Sequence, residues 1–366
     1  MARGSSPRRR RTWRVIGALL AVFLLVVGVS ITRSLTAPGT DSTAARLAEW
    51  ARGHWLSAVV DRLERVTYHA PKVGGTPAAT SPLVATTPDT HGQVGLQPIR
   101  PLATPALPGE GAWHVLKAVG GRPVLQAAFL RPDAVHTSYT AAVAWMDPTR
   151  VRFVLHPGTQ EPGHGPWSVG SSISLAERPT LLAAFNGGFR IDAARGGFLE
   201  GGHHVGALRV GAASFVVLPN GRATVGQWGR DVGPGTALSA VSAVRQNLDL
   251  LVDKGTPAAG LDANTGGRWG RTLGNKFYVW RSGVGVTRSG ALVYVAGNRL
   301  SAGSLAELLV RAGCVRAMEL DINPEWTSFI TYSPGHAQNL LPDMQRSPHR
   351  YDTTSTRDFV TVSLGS

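Results

Sequence analysis

The most distinct hydrophobic pattern in the chain is one apolar run near the N-terminus. Positions 15–31 contain no charged residue, and Trp13 and a group of arginines precede them. A run of this length is at the short end of what crosses a bilayer, which takes about 20 residues. Basic residues stay on the cytoplasmic side, so the pattern predicts a single-pass transmembrane helix. Residues 1–14 are then cytoplasmic and the C-terminal domain is extracytoplasmic, at the cell membrane.

A cleaved signal peptide is the alternative to this anchor. Such a peptide needs small residues before the cut. The candidate site at Ala37 has Leu35 two positions earlier and Pro38 directly after it. These neighbours favour an anchor that is retained.

Two segments with different patterns follow the apolar run. In residues 41–66, apolar positions recur near helical spacing and opposite charges balance on the other face, which predicts an amphipathic helix. Residues 71–110 are rich in Pro, Thr, Ala and Gly and contain almost no aromatic residues. That composition cannot form a core of its own, so we expect a semi-extended linker there.

Residues 111–366 consist of short β-type runs separated by glycine turns. Asn220-Gly221 and Ser289-Gly290 each separate two such runs, and both pairs suit hairpin turns. One convincing helix covers 304–312, where Ser304-Leu305-Ala306-Glu307 reads as a capping box and Gly313 as the stop. Few helices and many hairpins predict an α+β domain with a mainly antiparallel mixed sheet, preceded by one transmembrane helix.

Charge and cysteine content exclude some functions. The formal net charge of the 366 residues is +14, but six arginines lie within the first 14 positions. No later basic run alternates with aromatic residues, so we expect no nucleic-acid partner. Cys314 is the single cysteine, which rules out an internal disulfide and is most simply a buried, inert thiol.

The strongest candidate for chemistry is the acidic end of the strand that follows this helix. Glu319 and Asp321 lie two positions apart, so both side chains point to one face of a strand. Holding two carboxylates this close is unfavourable unless a cation, a proton or a substrate uses them. Asn323 and Glu325 follow directly.

A second candidate is the turn Asn186-Gly187-Gly188, which ends an apolar strand. An ordinary turn explains it without any function. Paired glycines also let a backbone approach a ligand closely and direct amide N–H groups at an anion. The sequence does not decide between these two interpretations.

A third candidate is a group of arginines, Arg268, Arg271 and Arg281. A solvated surface is the ordinary explanation, and a clamp for phosphate or carboxylate is the functional one. Arg281 lies inside an apolar strand, where a positive charge needs a partner. We expect Asp321 to be that partner, with Asn186 close by.

The sequence contains no nucleotide-binding loop, dinucleotide fingerprint or serine-hydrolase motif, so we expect no cofactor. His203-His204 with Glu200 is a weak metal signal because no further ligands follow at suitable spacing. Whether a metal takes part is left open.

Three segments, in order, resemble motifs of the phosphodiester glycosidase family, which includes an enzyme that removes N-acetylglucosamine from a sugar phosphodiester. The matching segments are Asn186-Gly187-Gly188-Phe189, Arg281-Ser282-Gly283-Val284-Gly285 and, after a helix, Leu320-Asp321. The resemblance covers roughly residues 183–331. In the family, glycines and a serine follow Leu-Asp, whereas this chain continues Ile322-Asn323-Pro324-Glu325-Trp326.

The resemblance implies a membrane-anchored envelope hydrolase that cleaves a glycosidic bond to phosphate in a sugar phosphodiester or a phosphate-bearing glycan. The candidate catalytic carboxylates are Asp321, Glu319 and Glu325. The candidate substrate-binding residues are Asn186, Gly187, Gly188, Arg281, Ser282, Asn323, Arg268 and Arg271. A non-catalytic glycan-binding module is the alternative, with Trp269, Trp280 and Trp326 either stacking on sugar rings or lying in the core. A structural scaffold is a third possibility.

Overall fold

The computed structural model describes residues 7–37, 39–54, 56, 59–60, 62, 68–85, 96–264, 267–270, 272 and 277–365. The chain divides into two compact units, Met1–Thr67 and Tyr68–Ser366.

The first unit contains two helices, α1 (Pro7–Leu35) and α2 (Thr43–Gly53). Trp13–Leu35 of α1 is long and apolar enough to cross a membrane, with a mean hydropathy of 2.7 and no buried residue in its most apolar window. A transmembrane anchor and a signal sequence both fit this helix. α2 forms the first part of the amphipathic helix predicted at 41–66, and most of the remainder lies outside the described residues.

The second unit contains eighteen described strands and three short or medium helices. The first nine strands are β1 (Trp113–Val119), β2 (Arg122–Leu130), β3 (Ala141–Met146), β4 (Val151–His156), β5 (Leu181–Asn186), β6 (Phe198–Glu200), β7 (His203–Val205), β8 (Ala213–Val217) and β9 (Ala223–Gln227). The others are β10 (Ala243–Gln246), β11 (Leu250–Asp253), β12 (Thr256–Pro257), β13 (Val279–Thr287), β14 (Leu292–Leu300), β15 (Cys314–Glu319), β16 (Phe329–Ser333), β17 (His336–Asn339) and β18 (Phe359–Leu364). The helices are α3 (Pro82–Ala85), α4 (Ile191–Ala194) and α5 (Ala302–Arg311).

These strands form three sheets, and the described strand pairs within them are antiparallel. The eight-stranded sheet has the order β1-β2-β3-β14-β13-β15-β11-β12. The two five-stranded sheets have the orders β7-β6-β10-β8-β9 and β17-β16-β5-β18-β4. The predicted α+β fold with mainly antiparallel sheets is therefore confirmed.

Both predicted hairpins are present, because β8 pairs with β9 and β13 pairs with β14. Gly221 and Gly290 have φ values of +74° and +87°, which only glycine adopts easily. The helix predicted at 304–312 begins two residues earlier. Its N-cap is Ser301, whose side chain accepts from the Ser304 amide while Ser304 Oγ accepts from the Ser301 amide, both at 2.9 Å.

The capping box predicted at Ser304–Glu307 was therefore placed three residues too late. Glu307 instead pairs with Arg311 one turn later, at 2.7 Å. Gly313 has a φ of +88° and stops the helix as predicted.

The described parts of segment 71–110 differ from an exposed linker. Leu83 packs into the main hydrophobic cluster, and Ile99 packs with Trp113 in a second cluster. The Ile99 amide also donates to the Gly111 carbonyl at 2.8 Å. A segment with few apolar residues cannot form a core, but one or two such residues are enough to attach it to an existing core.

An aromatic cluster joins two of the sheets beneath the end of β5. The rings of Phe185 and Phe329 stack with centroids 6.1 Å apart, and Tyr294 of the eight-stranded sheet lies 5.4 and 5.0 Å from them. The cluster fixes the end of β5 against β14. Asn186 is the next residue along β5.

Candidate functional site

The Asn186 side chain links three separated segments of the chain. Its Nδ2 donates to Ser282 Oγ at 3.0 Å, and its Oδ1 accepts from Tyr294 Oη at 2.9 Å and from the Ser328 amide at 3.0 Å. Ser282 Oγ in turn donates to the Asp321 carbonyl at 2.8 Å. The three predicted segments therefore meet. Asn186 is buried and its observed hydrogen bonds are to other parts of the protein, so they hold these segments in place.

The two glycines after Asn186 lie against buried side chains. A Cβ atom on Gly187 would lie 1.9 Å from Asp358 Oδ2, and one on Gly188 would lie 3.2 Å from Arg245 Cζ. The Gly187 amide donates to the Asp358 carbonyl at 3.0 Å. The group that closely approaches Gly187 is a carboxylate of the protein itself, so the approach of a ligand to this turn stays a prediction.

Asp358 belongs to a buried ion pair with Arg245. Arg245 Nε donates to Asp358 Oδ2 at 2.8 Å, and its Nη2 donates to Asp358 Oδ1 at 3.3 Å and to the Phe189 carbonyl. Both side chains are almost completely buried. A buried pair of this kind is tolerable because both charges are paired and hydrogen-bonded.

Asp321 pairs with Arg357, and not with Arg281 as predicted. Arg357 Nη2 donates to Asp321 Oδ2 at 2.7 Å and to the Gly188 carbonyl at 3.3 Å. The Asn323 amide donates to Asp321 Oδ1 at 2.9 Å. A guanidinium and an amide N–H are both donors that stabilise a carboxylate anion. Asp321 is 4% exposed.

Arg281 pairs with Glu319. Its Nη1 donates to Glu319 Oε1, and its Nε donates to the Leu300 carbonyl at 3.1 Å. Arg281 therefore has the acidic partner that was predicted for it, but that partner is Glu319 and not Asp321. Antiparallel pairing of Gly283 with Glu319 makes the two side chains diagonal neighbours on one face of the sheet.

Burial dominates the electrostatics of Glu319. Burial and, to a smaller extent, nearby Asp321 raise the pKa of Glu319 to about 7, against the lowering effect of Arg281. Glu319 Oε2 has no hydrogen-bond partner among the described residues, which leaves that oxygen able to carry a proton. The two neighbouring carboxyls therefore have different surroundings.

A fourth arginine–carboxylate pair lies beside Trp326. The guanidinium groups of Arg346, Arg350 and Arg357 lie 5.6, 5.5 and 5.3 Å from the centroid of this buried ring. Glu325 Oε2 lies 3.5 Å from Arg346 Nη1, and the Glu325 side chain is 26% exposed. Glu325 is thus the most exposed of the three candidate carboxylates.

Other candidates from the sequence have local roles. Asn323 Oδ1 accepts from the Glu325 amide at 2.9 Å and shapes the loop. Arg268 is exposed and pairs with Asp249 at 3.0 Å. Arg271 lies outside the described residues. Trp269, Trp280 and Trp326 are buried, so they form part of the core and do not offer ring faces to a sugar.

The residues that the structure describes contain no group of three or more His, Cys, Asp or Glu that could hold a metal ion. Glu200 accepts hydrogen bonds from Ser168. His203 and His204 are exposed on β7. The weak metal signal of the sequence is therefore not supported by the positions of these side chains.

The sequence analysis missed Arg245, Asn247, Arg357 and Asp358. Asn247 connects the turn after β5 with the end of β15. Its Oδ1 accepts from the Phe189 amide at 3.4 Å, and its Nδ2 donates to the Glu319 carbonyl at 2.7 Å. A usable signal was present: Arg245 lies within an apolar strand, and Arg357-Asp358 directly precedes another one. The reasoning that singled out Arg281, that a charge in an apolar run needs a partner, applies equally to these residues.

Comparison with known proteins gives only distant structural likenesses. No family model matches the chain, and no curated protein matches it. A solved structure of the zebrafish N-acetylglucosamine-1-phosphodiester alpha-N-acetylglucosaminidase catalytic domain, auto-inhibited by its pro-peptide, is similar at 16% identity and a TM-score of 0.44. The match covers 69% of this chain and 87% of that one.

Two other solved structures are similar at 14% identity. For a hypothetical protein from Synechocystis the TM-score is 0.38, with 68% of this chain and 63% of that chain covered. For a protein from Burkholderia pseudomallei it is 0.36, with 64% and 75% covered. These values indicate a distant structural relationship.

Proposed function

We propose that the protein is a membrane-anchored envelope hydrolase that cleaves a glycosidic bond to phosphate in a sugar phosphodiester or phosphate-bearing glycan. One observation carries the proposal: Glu319 and Asp321 are buried neighbours with different electrostatic surroundings. Burial raises the pKa of Glu319 to about 7, whereas Arg357 and an amide N–H stabilise a charged Asp321. Glycoside hydrolysis commonly uses one protonated and one ionised carboxyl group.

Asp321 is the carboxylate that we place against the substrate. It acts either as a base that activates water or as a nucleophile at the anomeric carbon. Asp321 retains a small exposed surface, while Glu319 has none. Two groups are candidates for the acid that protonates the leaving oxygen: Glu319, for its raised pKa, and Glu325, for its greater exposure.

The surrounding residues fit supporting roles. Arg281 pairs with Glu319 and helps to set its charge. Asn186 and Ser282 hold the Asp321 main chain in place through hydrogen bonds. Gly187 and Gly188 bring the turn close to Asp358 and Arg245. We therefore assign these five residues to positioning, and the phosphate-binding group among the described arginines is Arg357, which contacts Asp321.

The test is turnover of a panel of sugar-1-phosphate diesters by the full-length protein in detergent. Asp321→Asn should lower kcat by about a hundredfold or more, because a group acting on the reacting atoms contributes about 10²–10⁴ to the rate. Glu319→Gln and Glu325→Gln are then compared, and the variant that loses activity identifies the acid. Arg268→Gln is the control, since Arg268 is exposed and pairs with Asp249.

Unchanged turnover in Asp321→Asn would refute the catalytic assignment. Saturable glycan binding by a wild-type protein with no turnover would support the alternative, a non-catalytic glycan-binding module of the envelope. The buried positions of the three tryptophans give that alternative no stacking surface.

A further inference from the structure

Helix α2 folds back along the C-terminal end of α1. Ser34 Oγ donates to the Arg46 carbonyl at 3.2 Å, and Trp50 Nε1 donates to Ser30 Oγ at 2.9 Å. From the first contact to the second, the position moves four residues back along α1 and four residues forward along α2, which is about 6 Å along each helix. The two helices therefore form an antiparallel hairpin with a defined register.

Arg46 fastens this hairpin at its closed end. Its guanidinium donates to the carbonyls of Leu35 and Gly39, both at 2.7 Å, to that of Asp41 at 3.0 Å, and to that of Ala37. The last carbonyls of a helix need partners and favour a nearby cation. These bonds hold the segment that contains the candidate cleavage site at Ala37 against α2.

The dimensions of α1 place Trp50 at a membrane boundary. Trp13 and Ser30 are 17 positions apart, which is about 26 Å along a helix, close to the roughly 30 Å of a bilayer core. Tryptophans concentrate at both boundaries of that core. α1 carries Trp13 at one end, and Trp50 of α2 lies at the level of Ser30 at the other.

One face of α2 carries apolar side chains. Ala44, Leu47 and Ala51 recur at helical spacing; Ala44 and Leu47 are exposed, Leu47 at 41%, and Ala51 is half-buried. In the same unit, the most apolar window of α1 has no buried residue. An exposed apolar helix face binds at the boundary between the lipid headgroups and the acyl chains.

We propose that α2 is an interfacial helix that packs antiparallel against the outer end of α1, with its C-terminal end at the boundary between headgroups and acyl chains on the side opposite the N-terminus, where Trp50 is the second aromatic anchor of the span. The inference rests on the membrane anchor in the proposed function and is independent of the hydrolase activity. Its partner is the lipid surface itself. The bilayer therefore holds the chain at two depths, through α1 and through α2.

The test measures the depth of fluorescent labels on the full-length protein in phosphatidylcholine–phosphatidylglycerol vesicles. Single cysteines replace Leu47 in α2, Val22 in the middle of the span, or Ser289 in an exposed hairpin turn. Native Cys314 is buried and its raised pKa disfavours the reactive thiolate, so it stays unlabelled. Quenchers are nitroxide lipids labelled at a shallow or a deep acyl position, and aqueous iodide.

We expect the Leu47→Cys label to be quenched most by the shallow nitroxide, the Val22→Cys label by the deep one and the Ser289→Cys label by iodide. If iodide quenches the Leu47→Cys label as strongly as the Ser289→Cys label while the Val22→Cys label stays in the bilayer, the interfacial position of α2 is refuted and the anchor stands. If the Val22→Cys label is also open to iodide, the anchor itself fails, and the proposed localisation fails with it.

A second pair of variants tests the role of Trp50. Combined with the Leu47→Cys label, Trp50→Ala should increase iodide quenching at least severalfold, because the aromatic anchor is lost. Trp50→Phe keeps an aromatic ring, although a smaller one, and removes the N–H that bonds Ser30, so it should have a smaller effect. Equal quenching in the wild type and in Trp50→Ala would overturn the assignment of Trp50 as an anchor.

Discussion

Replacing Gly187 by alanine should destabilise the protein severely. The backbone of Gly187 is outside the left-handed region, so alanine can adopt its conformation without strain. A glycine that served only as a turn would then gain about 0.4–1 kcal/mol of stability on this change, through a less flexible unfolded chain. The added methyl group, however, meets Asp358 Oδ2 at 1.9 Å and Cγ at 2.5 Å.

The magnitude follows from what Asp358 must do to make room. Its carboxylate is fully buried and held by Arg245 at 2.8 Å, so a shift of more than 1 Å breaks the ion pair. Separating a buried pair costs about 3–5 kcal/mol, in addition to about 1–3 kcal/mol for overpacking. Since a typical domain is stable by about 5–15 kcal/mol, this one methyl group removes a large fraction of the total.

The assay is denaturant unfolding of the full-length protein in detergent, followed by tryptophan fluorescence. Gly188→Ala is the matched control, because its methyl group meets Arg245 Cζ at 3.2 Å and Asn247 Cβ at 3.3 Å. Small movements relieve such contacts, so we expect a loss of about 1 kcal/mol. In the background of Asp358→Ala, the part of the effect of Gly187→Ala that comes from the carboxylate should disappear. The part that comes from the Asp358 carbonyl oxygen, which the methyl group meets at 2.8 Å, should remain.

A Gly187→Ala variant that is as stable as the wild type, or more stable, would contradict a clash with Asp358. That result, together with loss of substrate binding, would mean that the glycine makes room for a ligand and that Asp358 moves freely. Equal losses for Gly187→Ala and Gly188→Ala would also contradict the argument from the two distances.

Three further predictions concern titratable groups. Burial opposes ionisation of Glu177, but the hydrogen bond and charge of His156 lower its pKa from 4.5 to about 2. The stabilising effect of ionised Glu177 is therefore present above pH 4.5 and lost as the pH falls toward 2. In Glu177→Gln, the denaturant midpoint of unfolding should depend less on pH over that range. The pKa of Glu319 is raised to about 7, so protonated Glu319 stabilises the fold below pH 4.5, and this stabilisation is lost as the pH rises from 4.5 through 7. Glutamine stays neutral, so the stability of Glu319→Gln relative to the wild type should increase across that interval. Burial raises the pKa of Cys314, so a thiol reagent at pH 8 should modify it only after denaturation, and rapid labelling of the folded protein would show that it is accessible.

The fold class, with its mainly antiparallel strands, was predictable because its signals are local. Short apolar runs mark the strands, and Asn220-Gly221 and Ser289-Gly290 mark turns that need a positive φ. The helix α5 was also predictable, but its start was missed by two residues. Ser301 and Ser304 cap it through their hydroxyls, whereas a glutamate at the third position is the more familiar signal.

The predicted pair of Arg281 and Asp321 shows where sequence reasoning reaches its limit. β13 and β15 pair with Gly283 opposite Glu319, so continuing this ladder would place Arg281 opposite Asp321. The chain leaves the ladder after Leu320, and the Asp321 amide donates instead to the Gly187 carbonyl at 3.0 Å. Arg281 then pairs diagonally with Glu319. Where a strand ends depends on a segment more than 130 positions away in the sequence, which local patterns do not encode.

The same geometry links the charge of the site to the protonation of Glu319. Three buried arginines, Arg245, Arg281 and Arg357, pair with Asp358, Glu319 and Asp321, and burial raises the pKa of Glu319 to about 7. Protonation of Glu319 therefore makes the sum of the charges over these three pairs one unit more positive. The phosphodiester of the proposed reaction carries one negative charge, so we expect these pairs to complement it better below neutral pH than above it. The proton that would make Glu319 an acid in that reaction is also the one that makes its surroundings more favourable for the phosphate.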